Sequence, residues 1–376
     1  MKITDLRVLL HERTMPAVVG PPTTTLALLT VDTDEGISGH TFLGAPGEDV
    51  VALGSTLVRQ VKPTLLGSDP LDIGRIWLTL GRRGLPPTLQ GAIDVALWDI
   101  AGKAAGLPVH RLLGSTRTAV PVQTSSWVYR DPADYVDDAL AYRELGVTGH
   151  KLHPLTQLRS FAGTPVAAEA DIDLCRRVRD AVGDGHRLFL DAAWAYDFGE
   201  ALRVGRAVQA LGYEWLEDPL SADDLYGYVR LKQHLAIPLM ATEITSGGLT
   251  ALAPWVTQRA TDFLRGDVVL KGGITGLRKI AHLAEAFHLN CELHDAYTSL
   301  NNLATLHLAA SLPNCDWFEV LVINPPGEHG FSQLEYGLAE PFTLDGQGMV
   351  QVPEQPGLGM EPDWDLLTHG SADVLR

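Results

Sequence analysis

Charged and apolar side chains interleave along Met1–Leu10 with the period of two that a half-buried strand requires, which predicts a strand over 2–11. Residues 24–33 and 37–43 carry strand patterns on either side of the turn Asp34-Glu35-Gly36. Helical spacing then predicts helices near 48–62, 70–80 and 88–105, the last stopped by Gly106 with Pro108 behind it. A three-stranded meander followed by helices is an α+β arrangement, expected to form a separate N-terminal domain.

From Val120 the pattern changes to short strands alternating with amphipathic helices. Val120–Thr124 and Thr148–Leu152 are the first two strands, and Asp131-Pro132 opens the helix between them. Three more short apolar runs follow, ending at Asp191, Glu217 and Glu243. The runs Asp267–Leu270, Leu289–His294 and Asp316–Val320 bring the strand candidates to eight. Beyond Val320 the alternation gives way to a Pro/Gly-rich stretch, expected to pack back on the N-terminal domain. The reading is therefore residues 1–115, completed by 321–376, as an α+β capping domain, and 116–320 as a barrel.

Each of the three carboxylates closes its run, and 26 residues separate one from the next. That interval fits one β/α unit of a parallel barrel. Successive strand ends neighbour one another on the barrel's rim, so Asp191, Glu217 and Glu243 should converge. Three uncompensated anions would repel and take up protons, whereas a hard divalent cation removes the conflict; an all-oxygen set suits Mg²⁺ better than Zn²⁺. Acidic residues also end strands as helix N-caps, but three in register are harder to explain that way.

Composition narrows the partners. A net charge of −17 argues against nucleic acid and anionic membranes, which require a basic surface. Cys175, Cys291 and Cys315 have no metal-binding spacing, which favours a reducing compartment. No apolar run reaches the roughly 18 residues that would span a membrane, and the N-terminus does not read as a signal peptide, so a cytoplasmic protein is expected.

Several motifs, in order, resemble the enolase superfamily in its mandelate racemase-like subgroup. They are Ala92–Lys103, Trp215-Leu216-Glu217-Asp218-Pro219, Asp267 followed by Lys271-Gly272-Gly273-Ile274-Thr275-Gly276, then His294, Trp317-Phe318-Glu319 and Pro356-Gly357-Leu358-Gly359. The resemblance covers essentially the whole chain. It implies a modified (β/α)₇β TIM-type barrel with an α+β cap, one Mg²⁺ per subunit, a homo-oligomer, and removal of the proton α to a substrate carboxylate through an enediolate. By position, Asp191, Glu217 and Glu243 match the metal ligands, His294 the general base and Asp267 its partner. Lys151 matches a lysine lying against the substrate carboxylate. Glu319 matches a glutamic acid that hydrogen-bonds the same group and would stay protonated if other anions surround it.

Three departures from the subgroup's pattern stand out. The second lysine of its Lys-x-Lys motif is replaced, giving Lys151-Leu152-His153; Ala193 stands two positions after the first ligand; and Glu243 follows Thr242 where a glycine is usual. Two residues on from Lys151, His153 should share its inward face nearer the mouth, where it would protonate a departing β-hydroxyl or else hydrogen-bond substrate hydroxyls. Dehydration of an acid sugar to a 2-keto-3-deoxy acid is the first reading. Racemisation or epimerisation and lactone cycloisomerisation are the alternatives, and an inactive binding scaffold or a metal-dependent hydrolase are readings from other classes. The segment 14–22 is apolar and expected to fold over the site. Polar contacts to substrate are expected from His11, Arg13, Gln123, Ser125, Trp194, Tyr196, Asp295 and Tyr297.

Overall fold

The computed structural model describes residues 1–15, 23–324, 327–369 and 373–376. The meander forms as read: β1 (Ile3–Thr14), β2 (Thr23–Thr33) and β3 (Ser38–Phe42) pair antiparallel. The barrel strands are β4 (Ala119–Ser125), β5 (Gly149–Leu152), β6 (Arg187–Asp191), β7 (Leu216–Glu217), β8 (Leu239–Ala241), β9 (Phe263–Gly266), β10 (Asn290–Leu293) and β11 (Phe318–Leu321). Each lies parallel to the next in chain order, and β11 closes the ring on β4. Two late strands leave this pattern: β12 (Met349–Gln351) pairs antiparallel with β4, and β13 (Asp373–Leu375) adds to the edge of β1. Among the described residues no helix is long and apolar enough to cross a membrane.

One strand lies elsewhere than its hydrophobicity suggests. The run Asp267–Leu270 reads as a strand, but β9 ends at Gly266 and the run is a turn. Asp267 causes this: its Oδ1 accepts the backbone N–H of both Val269 and Leu270, at 2.7 Å each, and its carbonyl accepts from Lys271. A carboxylate that satisfies two successive amides replaces the ladder bonds a strand would need.

The barrel interior is layered. Phe189, Trp215, Met240 and Trp317, with Phe263 against them, make an aromatic floor in which the Phe189 and Trp215 ring centroids are 3.8 Å apart. Gly149 makes room for it, since a Cβ there would sit 2.9 Å from Phe189 and 3.0 Å from Trp317. Side chains two apart on a strand share a face. Asp191, Glu217, Arg265 and Glu319 therefore stand one layer above Phe189, Trp215, Phe263 and Trp317. An apolar floor under a charged layer keeps water from reaching the charges from below.

The helix Pro87–Ala105 seats the N-terminal unit on this barrel beside the Asp267 turn. Trp77 Nε1 donates to Gly272 O at 2.6 Å, Thr275 N donates to Asp94 at 2.8 Å, and Trp98 Nε1 donates to Thr275 Oγ1 at 3.0 Å. Gly91 lets the helix approach this closely, because a Cβ at this position would lie 2.5 Å from Val268 O and 2.9 Å from Gly273 N. Gly91→Ala is expected to destabilise the protein by about 1–3 kcal/mol, the range for overpacking a tight contact. Thermal unfolding checks this, and an unchanged midpoint would mean that the helix yields at no cost.

Candidate active site

One ligand atom each from Asp191, Glu217 and Glu243 can be chosen so that all lie within 4.8 Å of one another, and all three residues are buried. Asp191 and Glu217 occupy paired positions at the ends of β6 and β7. Glu243 arrives differently, since β8 ends at Ala241 and Thr242 adopts φ 91°. Only glycine takes that conformation without strain, which accounts for a glycine being usual at this position. Here the threonine hydroxyl compensates by donating to Arg265 O at 3.2 Å and accepting from Arg265 N at 3.1 Å. Other non-glycine residues with positive φ also flank the strand ends: Ala193, Trp194, Asp218 and Tyr297.

Two permanent cations share these carboxylates. Lys151 Nζ lies 3.0 Å from Asp191, 3.1 Å from Glu217 and 2.8 Å from Glu319. Arg265 contacts Glu217 and Glu319 and lies 3.4 Å from Glu243. Burial alone would raise Asp191, but Lys151 and His153 hold it well below the usual carboxylate range. Burial pushes Glu217 up to about 7 against the pull of Arg265 and Lys151, with Asp191 adding to the rise. Burial and Arg265 oppose the charge on Lys151, yet Glu217, Glu319 and Asp191 outweigh them and keep it protonated.

Glu319 differs from the sequence expectation of a protonated acid. Burial favours the neutral form, but Arg265 and Lys151 flank the carboxylate and hold it far below its ordinary pKa. It is an acceptor between two cations rather than a donor.

On the other side of the site, His294 follows β10, with Nδ1 3.4 Å from Asp267 and Nε2 3.5 Å from Glu243. The first separation is within ion-pair reach but outside good hydrogen-bond geometry. Burial lowers the imidazole's pKa, while Glu243 and Asp267 more than compensate and bring it to about 9. Much of that rise comes from Glu243, whose charge a bound cation would neutralise.

His153 lies just past β5 and, as its position two residues after Lys151 implies, reaches the same carboxylate, Asp191. Its Nδ1 is 2.7 Å from Ser126 O and its Nε2 is 3.2 Å from Asp191. A carbonyl oxygen only accepts, so Nδ1 carries a proton and Nε2 is the nitrogen presented to the site.

His153, Asp191, Glu243, His294 and Glu319 line one cavity of about 150 Å³, while Lys151 lies beneath it. Aromatic side chains form part of the wall: Trp127 and Phe161 stack with centroids 6.4 Å apart, and Trp194 lies nearby. Of the polar contacts read from sequence, Trp194 reaches the cavity and Tyr297 packs on His294 with ring centroids 5.1 Å apart. Tyr196 is bonded away to Asp171 at 2.8 Å, and Asp295 accepts from Asn302 and the Tyr297 amide. His11 and Arg13 meet at Tyr336. Most of the apolar segment expected to fold over the site, residues 16–22, lies outside the described residues.

Arg265 was not legible in the sequence, although a signal for it exists. Phe263-Leu264-Arg265 repeats the aromatic–Leu–charge order of Phe189-Leu190-Asp191 and Trp215-Leu216-Glu217. Placing the sixth strand at 267–270 hides that phase.

An eight-stranded parallel barrel with an acidic cluster and an imidazole at its C-terminal mouth, under an α+β unit, defines a capped (β/α)₇β-barrel enzyme. The chain belongs to the enolase superfamily, in the mandelate racemase/muconate lactonizing enzyme group. The Enolase C-terminal domain-like family matches residues 134–366, and the Mandelate racemase / muconate lactonizing enzyme N-terminal domain matches 4–114. It is 30% identical over 346 residues to an arabinonate dehydratase of Saccharolobus solfataricus, covering 88% of this chain and 86% of that one. It is also 30% identical to a D-galactarolactone cycloisomerase of Agrobacterium fabrum, covering 91% and 90%. The crystal structure of D-glucarate dehydratase from Agrobacterium tumefaciens complexed with magnesium superposes with a TM-score of 0.87 at 32% identity, covering all of both chains. The protein is thus an enzyme of the superfamily's dehydratase and cycloisomerase kind.

Proposed function

We propose that the protein removes the proton α to the carboxylate of an acid sugar and expels the β-hydroxyl, giving a 2-keto-3-deoxy acid. The observation that carries this reading is the grouping of His294 and His153 around one cavity with Asp191 and Glu243, two of the three converging carboxylates, Glu217 being buried beside them. The oxygen-only, buried, anionic donor set fits Mg²⁺, held by those three carboxylates. When bound, Mg²⁺ supplies positive charge that favours negative charge developing on the substrate carboxylate. In this reading residues 1–115 and 321–376 form the cap and 116–320 the catalytic barrel, the β13–β1 pairing supporting the return of the C-terminus.

The protein's own residues carry the proton transfers. His294 accepts the α-proton at one ring nitrogen while Asp267 orients the ring from the other side. Lys151 provides a fixed cation at the base of the cluster and holds Glu319 and Asp191 in place. His153 gives a proton to the β-hydroxyl as the C–O bond breaks, so water leaves and the enol product tautomerises to the keto acid. Acid-sugar relatives support the substrate class. A second reading, cycloisomerisation of a ring substrate, draws on the Trp127–Phe161 stack, a flat apolar surface suited to a sugar ring.

The reading is tested by incubating the Mg²⁺-loaded protein with a panel of acid sugars and assaying 2-keto acid; a panel that yields none argues against dehydration. The role of His153 is tested separately. His153→Ala is expected to keep α-proton exchange while dehydration falls by about 10²-fold, the contribution of one positioned acid. Dehydration at the wild-type rate would remove His153 from the chemistry.

A further inference from the structure

We infer that Arg265 is a positioning residue that serves as a resident counter-cation, holding the acidic cluster assembled in the absence of a divalent ion and opposing that ion when it binds. The inference rests on the reading that Asp191, Glu217 and Glu243 hold the metal. Arg265 is 1% exposed, near the end of β9 and above the aromatic floor. Its Nε faces Glu217 and, at 3.4 Å, Glu243, while Nη2 faces Glu319. Lys151 serves Asp191, Glu217 and Glu319 but not Glu243. Among the described residues, Arg265 is therefore the permanent cation in ion-pair contact with both the third carboxylate and the others.

Burying a guanidinium this deeply is expensive unless its partners are anions in good geometry. Here the partners include two of the three carboxylates that a metal would use. Four carboxylates, Asp191, Glu217, Glu243 and Glu319, face two permanent cations, Lys151 and Arg265, and the excess of carboxylates favours uptake of a divalent ion. Neutralising Arg265 has two opposed consequences. The metal-free cluster loses half of its permanent compensation and should be less stable. The divalent ion, relieved of a cation a few ångströms away, should bind more tightly.

The test uses the full chain, stripped with EDTA and dialysed, for wild type, Arg265→Gln and Arg265→Lys. Thermal unfolding is recorded without metal, and Mg²⁺ is titrated by calorimetry. Arg265→Gln is expected to melt lower than wild type without metal, yet to bind Mg²⁺ at least about tenfold more tightly. Arg265→Lys, which keeps the charge, should stay within about threefold of wild-type affinity. Equal or weaker Mg²⁺ binding by Arg265→Gln overturns the proposal, as does an unchanged metal-free melting temperature. If Arg265→Gln folds only when Mg²⁺ is present throughout purification, the ion is replacing the arginine and the proposal stands. If it stays unfolded with Mg²⁺, the two cations are not interchangeable and the proposal falls. Wild-type protein that takes up no Mg²⁺ fails the metal reading itself, a result seen before any variant is compared.

Discussion

His294→Asn is expected to lower turnover by about 10²-fold or more, the usual contribution of a positioned base. Asparagine keeps a polar group within reach of Asp267 but cannot accept the α-proton. The imidazole lines the cavity between Asp267 and Glu243. The loss should appear in kcat and in α-proton exchange together, with Mg²⁺ affinity changed only a few-fold because histidine is not among the three converging carboxylates. A mutant that turns over near the wild-type rate would remove His294 from the base role.

Glu243→Gln is expected to have an effect of similar or larger size by a different route. The amide lacks the charge that draws a divalent ion, and it leaves Arg265 and His294 with one anion fewer. Mg²⁺ affinity should fall at least as far as the roughly 10–100-fold that loss of a supporting group alone costs, and turnover at fixed Mg²⁺ should fall with it. Calorimetric titration alongside the rate assay separates this from a folding defect. Unchanged affinity would show that the acidic cluster is not where the ion sits. Removing metal from wild-type protein with EDTA should abolish activity reversibly.

Much of the fold was legible because its signals are local. Strand-length apolar runs ended by carboxylates at a fixed interval specify a β/α repeat, and the structure ends β6 and β7 on Asp191 and Glu217. What escaped depended on contacts remote in sequence. Asp267–Leu270 is apolar enough to be a strand, and only the carboxylate's two bonds to its own backbone make it a turn. The strand shift concealed Arg265, whose role depends on three glutamates remote from it in sequence, two on other strands and Glu243 just beyond a third.

The charge of Glu319 was misjudged for the same reason. With acids alone in view it reads as protonated, whereas Lys151 and Arg265 reverse that. His153 reaches the site on the face that the strand period gives it, beside Lys151 and against the same Asp191 carboxylate. β5 stops at Leu152, and the backbone N–H of His153 donates to Ser126 Oγ at 3.1 Å, a side-chain bond from the neighbouring strand's loop. Periodicity places residues within an element; the ends of elements, where this site is built, follow from hydrogen bonds that no pattern records.

The most direct measurement of the central claim is proton NMR of a panel of acid sugars incubated in D₂O with the Mg²⁺-loaded protein, following the α-proton of each. At least one acid should lose its α-proton signal, through exchange or through conversion to a 2-keto-3-deoxy acid, and the loss should require both Mg²⁺ and His294. Retention of every α-proton by the Mg²⁺-saturated, folded protein would contradict α-proton abstraction from an acid sugar as its activity.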